Sequence, residues 1–242
     1  MSYSMNSNFY PAREPKNGFI GNADVTIANA IRIRGIAVFE KDGERHISFP
    51  GFGEGDNRKS YIVPASKEAY AEFLSVVEKA VADDEKHFGW VTGDHFEWDE
   101  KAKKFKQLDI SGEAVSEPYA DARFQIEIKD LCTLYGITTQ EKEYTKDGKT
   151  GKFIAVDPPS TTPYEKDGEK VYPLAFEGWT NKYEKDGEKK QFDFGRYLEG
   201  QIVAQRKELL NRRPSLDEQV NNAEQRAAQA EGKEGPAPEK AR

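Results

Sequence analysis

The sequence predicts an α+β fold: two antiparallel sheet-plus-helix modules in tandem, with a flexible N-terminal arm and C-terminal tail. Three observations predict it. Runs rich in β-branched residues are punctuated by Asp-Gly turns, and two later segments place apolar residues at the three- and four-residue spacings of an amphipathic helix. The same order of elements also appears in each half: long strand, hairpin, strand ending at Pro, short strand ending at Pro, helix. With 36% of residues hydrophobic and 33% charged, two compact units fit the chain better than one thick core.

Residues 1–18 hold Asn, Ser, Pro, Arg and Gly without a period and are expected to form a mobile arm. The first module spans 19–86. Val25, Ile27, Ile31, Ile33, Ile36 and Val38 interleave with small and polar residues in a strand-like run. Asp42-Gly43 then supplies a hairpin turn, because Gly accepts the positive φ that a tight turn needs. The return strand His46 to Phe49 is closed by Pro50, which removes a ladder donor, and a short strand Tyr61 to Val63 stops at Pro64. Ser66 is the expected N-cap of a helix reaching about Lys86, with Tyr70, Phe73, Leu74, Val77 and Val81 on one face.

Residues 87–118 are expected to be a linker hairpin, with Phe96 to Trp98 facing Phe105 to Ile110 across a charged turn. The second module, 119–214, restarts with the alternating strand Ala122 to Ile128 and β character over Leu131 to Ile137. A turn at Asp147-Gly148, a return over Phe153 to Val156 and a segment Val171 to Phe176 follow. An extra hairpin at Lys185-Asp186-Gly187 precedes a helix carrying Tyr197, Leu198, Ile202, Leu209 and Leu210 and ending at Pro214. Residues 215–242 are rich in Ala, Gln, Glu, Lys and Pro and are expected to be a disordered or partly helical tail. Lys-Asp-Gly recurs at 41, 146, 166 and 185, as turn chemistry reused wherever a hairpin is needed.

The opening residues show no basic segment before an apolar run, so no secretory signal is expected. No stretch approaches the roughly 18 apolar residues of a membrane span, so a cytoplasmic protein without membrane contact is expected. Cys132 is the only cysteine, which excludes an internal disulfide and a multi-cysteine zinc site. A net charge of −7 counts against indiscriminate nucleic-acid binding but leaves room for a local basic face.

No catalytic constellation is visible. His87 and His95 stand near Asp94, Glu97 and Asp99, yet their spacing matches no established metal-ligand pattern, so no metal or cofactor is expected. Gly51-Phe-Gly-Glu-Gly55 lacks the Lys-Ser/Thr step of a phosphate loop. Basic residues give the better lead. Arg32 and Arg34 lie two apart on one strand face, and solvated charge accounts for them as well as a binding face does. Arg58 and Lys59 precede Tyr61, while Lys189 and Lys190 precede Phe192 and Phe194, a mixture suited to phosphates and bases. Arg206, Arg212 and Arg213 fall towards the end of the last helix, where the helix dipole also favours cations.

Ile33-Arg-Gly-Ile-Ala-Val38 with its turn, His46-Ile-Ser-Phe-Pro50, and Ser60-Tyr-Ile-Val-Pro64 before Lys67 to Phe73 resemble the stage V sporulation protein G family (SpoVG, septation protein). Lys152 to Ser160 and Val171-Tyr-Pro173 resemble the same plan more distantly. The resemblance covers about 60 residues in the first half and about 90, with insertions, in the second. It implies a small sheet-and-helix module, usually dimeric, in a DNA- and RNA-binding regulator of sporulation and septation. Two such modules in one chain imply a monomeric pseudo-dimer, or a homodimer of the tandem chain. A second expectation, from a different class, is a protein-interaction or assembly factor of a mobile genetic element that binds partners through exposed sheet edges.

Overall fold

The computed structural model describes residues 2–52, 58–114, 122–157, 164–166, 169–171, 174–176, 180–185 and 188–211; from 164 to 192, and at 52, 210 and 211, it describes the backbone alone. Strands β1 (Met5–Lys16), β2 (Phe19–Ile27), β3 (Ile31–Lys41) and β4 (Glu44–Ser48) form a first antiparallel meander. A two-residue pair, β5 (Gly51–Phe52) with β6 (Lys59–Ser60), and β7 (Ile62–Pro64) lead into helix α1 (Lys67–Ala82). Strand β8 (Phe88–Val91) returns to pair with β1. A short hairpin of β9 (Trp98–Asp99) and β10 (Lys104–Phe105) precedes the second meander: β11 (Leu108–Ala114), β12 (Ala122–Ile128), β13 (Cys132–Lys146) and β14 (Lys149–Asp157). After it come the hairpin of β15 (Tyr164–Lys166) and β16 (Glu169–Val171), strand β17 (Leu174–Phe176), the hairpin of β18 (Thr180–Lys185) and β19 (Glu188–Asp193), and helix α2 (Phe194–Asn211).

The mixed α+β architecture and its hairpins are as expected. Asp42 and Gly43, and again Asp147 and Gly148, take the positive φ values that close β3–β4 and β13–β14. Ser66 caps α1, its hydroxyl accepting from the Ala69 amide at 3.1 Å. That helix stops at Ala82, four residues earlier than its apolar spacing suggested, because the Asp83 carboxylate accepts from the Lys86 amide and turns the chain.

Three expectations need correction. Residues 1–18 are not a mobile arm. Met5, Ser7 and Phe9 point inward on β1, and Asn17 and Gly18, at φ 53° and 82°, turn the chain into β2. The run from Val25 to Val38 is two strands, because Ala28 and Asn29 adopt positive φ and the Ala30 amide donates to the Ile27 carbonyl at 2.9 Å. The segment 87–118 contains the expected hairpin, with Trp98 opposite Phe105, but it is more than a linker. Its ends supply β8 to the first sheet and β11 to the second. Residues 115–118 lie outside the described residues, as do the Lys-Asp-Gly turn residues 167, 168, 186 and 187, Pro214 and the tail 215–242.

The two meanders repeat each other in register. Val25 opposes Ile33 and Ile27 opposes Ile31, as Ile126 opposes Leu134 and Ile128 opposes Cys132. Each pair of strands carries a bulge at the matching place, and Gly35 and Gly136 sit there at φ 71° and 78°. The short strand before each helix crosses to the other half's sheet. Strand β7 pairs with β13, setting Ile62 opposite Leu134, and β17 pairs with β3, setting Leu174 opposite Ile33. Leu174–Phe176, rather than the run ending at Pro173, is thus the counterpart of Ile62–Pro64. The exchange ties the halves into one unit spanning residues 1–209.

Helix α1 covers one face of the first sheet, burying Phe73, Val76, Val77 and Ala80, with Phe73 edge-on to Phe49 at 5.1 Å. The Tyr70 hydroxyl accepts from the Ile47 amide and donates to the Ile47 carbonyl, tying the helix to β4. Gly89 brings β8 against α1 so closely that a Cβ there would lie 2.2 Å from the Val76 carbonyl oxygen. Helix α2 buries Phe194, Leu198 and Ile202, and Gln205 donates to the Ile110 carbonyl of β11. Both sheets and both helices share one contiguous apolar core.

Candidate nucleic-acid interface

Because side chains alternate along a strand, the residues between the buried ones of the first sheet point away from α1. Met5, Ser7 and Phe9 face the core, so Asn6, Asn8 and Tyr10 face outward. Strand pairing then assembles rows across the sheet. Trp90, Asn6, Thr26 and Arg32 stand side by side over β8, β1, β2 and β3. Phe88, Asn8 and Asp24 form the next row, beside the bulge that carries Arg34. Tyr10, Asn22, Ala37 and Ser48 form the third. Beyond it the His46 ring stacks on Phe39, with centroids 5.0 Å apart and planes within 7°.

Local chemistry explains this arrangement. The Asp24 carboxylate accepts from the Gly35 amide at 3.1 Å, which holds the bulge and turns Arg34 outward between the buried Ile33 and Ile36. Arg32 Nε donates to the Thr26 hydroxyl at 3.2 Å, laying the guanidinium along the sheet. Arg58 donates to the Ser48 hydroxyl at 3.3 Å and the Phe49 carbonyl at 3.2 Å, placing a third cation at the β4 side of the same face. The Tyr10 phenol is pushed above its usual pKa, first by partial burial and then by Asp24, while Arg32 and Arg34 pull it down. Those opposing influences mark the four groups as one electrostatic cluster.

Three rings are open to solvent there: Trp90 is 58% exposed, Phe88 44% and Tyr10 42%. Exposed rings on one face, beside three guanidinium groups and three side-chain amides, can take both the flat faces of bases and the phosphates between them. No family model, curated protein or solved structure matches this chain. The site is therefore read from its own residues.

The other residues singled out in the sequence are dispersed. Lys59 lines an open groove of about 870 Å³ on the outer face of the second sheet, with Glu113, Arg123, Tyr135 and Thr138. Glu113 lies directly opposite Arg123 there, so that face is mixed in charge. Arg206 is 6% exposed and donates to the Thr139 hydroxyl at 3.2 Å; it belongs to the packing of α2 on β13 and is withdrawn from any phosphate-reaching surface. Lys189 and Lys190 fall on β19, described there by its backbone alone, and Arg212 and Arg213 lie outside the described residues.

His87 packs edge-on against Phe9 at 5.9 Å, and His95 Nδ1 lies 3.2 Å from the Ser4 hydroxyl. Among the described residues no three His, Cys, Asp or Glu side chains converge as metal ligands. Cys132 is buried, and loss of hydration pushes its thiol pKa far up. No described helix is long and apolar enough to cross a membrane.

Tyr10, Phe88 and Trp90 were not among the residues that the sequence singled out. Tyr10 sat in the supposed arm and the other two in the supposed linker. Two signals could have found them: the Asn17-Gly18 turn, and aromatic residues at 88 and 90 flanking a glycine with strand spacing.

Proposed function

We propose that this chain is a cytoplasmic, non-catalytic nucleic-acid-binding regulator of the SpoVG type, which engages DNA or RNA through the outer face of its first sheet. The observation that carries the reading is the coincidence of Arg32, Arg34 and Arg58 with exposed Tyr10, Phe88 and Trp90 on one face. Among the described residues the three rows hold one carboxylate, Asp24, beside Arg32 and Arg34, within a chain of net charge −7. Guanidinium groups gathered on one face can attract phosphates without making the whole protein a polycation. The internal repeat supports a monomeric pseudo-dimer, since each half already receives its exchanged strand from the other. Gel-shift titration at low salt tests the reading: wild type should retain an oligonucleotide and an Arg32→Gln/Arg34→Gln variant should retain it poorly. No retention by the wild type refutes it.

A second reading, a protein-interaction or assembly factor of a mobile genetic element, is favoured by one feature. In the first sheet β8 is an outer strand, paired with β1, and its backbone can add a partner strand beside Phe88 and Trp90. Affinity capture from host extract, compared between wild type and Trp90→Ala, distinguishes it. A stable protein partner lost in the variant, with no oligonucleotide binding, would favour this reading.

A further inference from the structure

We infer that the outer face of the first sheet selects single-stranded over double-stranded nucleic acid, with Trp90, Phe88 and Tyr10 as the base-stacking platform; the inference rests on the nucleic-acid reading above and deepens it. Three features carry it. The first is ring exposure. Trp90 and Phe88 stand two residues apart on β8, and Tyr10 lies on the adjacent β1, all turned away from the core. In a duplex the flat faces of bases are covered by their neighbours, so exposed rings gain contacts only from bases that are already unstacked.

The second feature is the supply of positive charge. Arg32, Arg34 and Arg58 can contact about three phosphates, fewer than the roughly 6–10 contacts of duplex binders whose affinity falls steeply with salt. The third is the amide row. Asn6, Asn8 and Asn22 lie between the rings and the arginines; the Asn6 amide donates to the Asn29 side chain at 3.3 Å, and a side-chain amide such as that of Asn8 or Asn22 offers both donor and acceptor to the Watson–Crick edge of a splayed base. Five strands from β8 to β4 at ~4.8 Å spacing give a face about 19 Å wide, enough for a short run of nucleotides.

The rigidity of the platform is built in. Gly89, between the two rings, lets β8 lie against the Val76 and Ala80 backbone of α1, so the strand that holds Phe88 and Trp90 is clamped from behind. The outer face of the second sheet differs at the matching positions. Ser111 and Glu113 stand where Asn8 and Tyr10 stand, and Arg123 and Gln125 replace Asn22 and Asp24. Selection for unpaired bases is thereby assigned to one half of the repeat.

The test uses the full chain. Affinities are measured for a 12-nucleotide oligo(dT), an unstructured RNA of equal length and a 12-base-pair DNA duplex, for wild type, Trp90→Ala and Trp90→Phe, with thermal melting to confirm that each variant folds. The expected result is at least tenfold preference for either single strand. Trp90→Ala should weaken single-strand binding about five- to hundredfold, while Trp90→Phe restores most of it. Duplex binding as tight as single-strand binding would overturn this inference and leave the nucleic-acid reading standing. Single-strand binding unchanged in a folded Trp90→Ala would also overturn it. Retention of none of the three probes would overturn both.

Discussion

Replacing Gly89 by Ala tests how β8 is held, and with it the platform for Phe88 and Trp90. A Cβ at this position would stand 2.2 Å from the Val76 carbonyl oxygen, 2.6 Å from the Ala80 amide nitrogen and 3.0 Å from Lys79 Cβ. The first two are backbone atoms of a helix that is packed against the first sheet, so relief requires moving β8 or α1 as a body. Overpacking of this kind costs about 1–3 kcal/mol. For a compact unit of about this size each kcal/mol corresponds to about 2–4 °C, so Tm should fall by roughly 2–12 °C. Gly200→Ala is the matched control: it lies on the exposed side of α2 with nothing within 4 Å of where its methyl group would sit, and it should raise stability by about 0.5–1 kcal/mol. Differential scanning calorimetry of both variants reads the result. An unchanged or raised Tm for Gly89→Ala would refute the close approach of β8 to the helix, and with it the fixed placement of the two rings.

Ile62→Ala should cost about 2–5 kcal/mol, because the side chain is fully buried beside the other half's strand; calorimetry should still show a single transition, since the exchanged strand couples the two sheets. Arg206→Ala should lower Tm through loss of the Thr139 bond and buried packing, yet leave oligonucleotide affinity within about twofold in a binding titration. Burial pushes the Tyr3 phenol up to about 12, above the ordinary value near 10, while its hydroxyl donates to the Lys129 carbonyl at 2.7 Å. The unfolded chain therefore loses this proton first, so the contribution of Tyr3 is complete below about pH 10 and is lost as pH rises to about 12; denaturant melts across that range should show the loss, reduced in Tyr3→Phe. Cys132, buried with its thiol pKa raised, should resist a thiol reagent in the native protein and react on unfolding, as absorbance titration would show.

Local chemistry was legible where one residue type imposes one conformation. Asp42-Gly43 and Asp147-Gly148 close the hairpins that the sequence announced, and Ser66 caps the helix it was expected to cap. Strand β1 was not legible from composition, because Ser7 is completely buried among Met5 and Phe9 and breaks the apolar alternation. The exchange of β7 and β17 was beyond any local pattern: each is a three-residue strand whose partner lies across the repeat. The arginine pair at 32 and 34 was visible as a strand-face feature, and its surroundings were not. Tyr10, Phe88 and Trp90 reach that face through antiparallel pairings that close a loop of some eighty residues between β1 and β8. Arg206 read as a helix-end cation and proved to be a packing residue, because sequence position says nothing of which helix face turns inward.

The salt dependence of oligo(dT) binding, compared between wild type and Arg32→Gln/Arg34→Gln, tests the central claim most directly. With Arg32, Arg34 and Arg58 each neutralising about one phosphate at about −0.7 per contact, the logarithm of affinity should fall against the logarithm of salt with a slope of about −2. In the double variant, Arg58 alone should leave a slope of about −0.7 and weaker binding at low salt. Absence of binding at low salt, or an identical slope and affinity in the two proteins, would contradict the assignment of this face to nucleic acid.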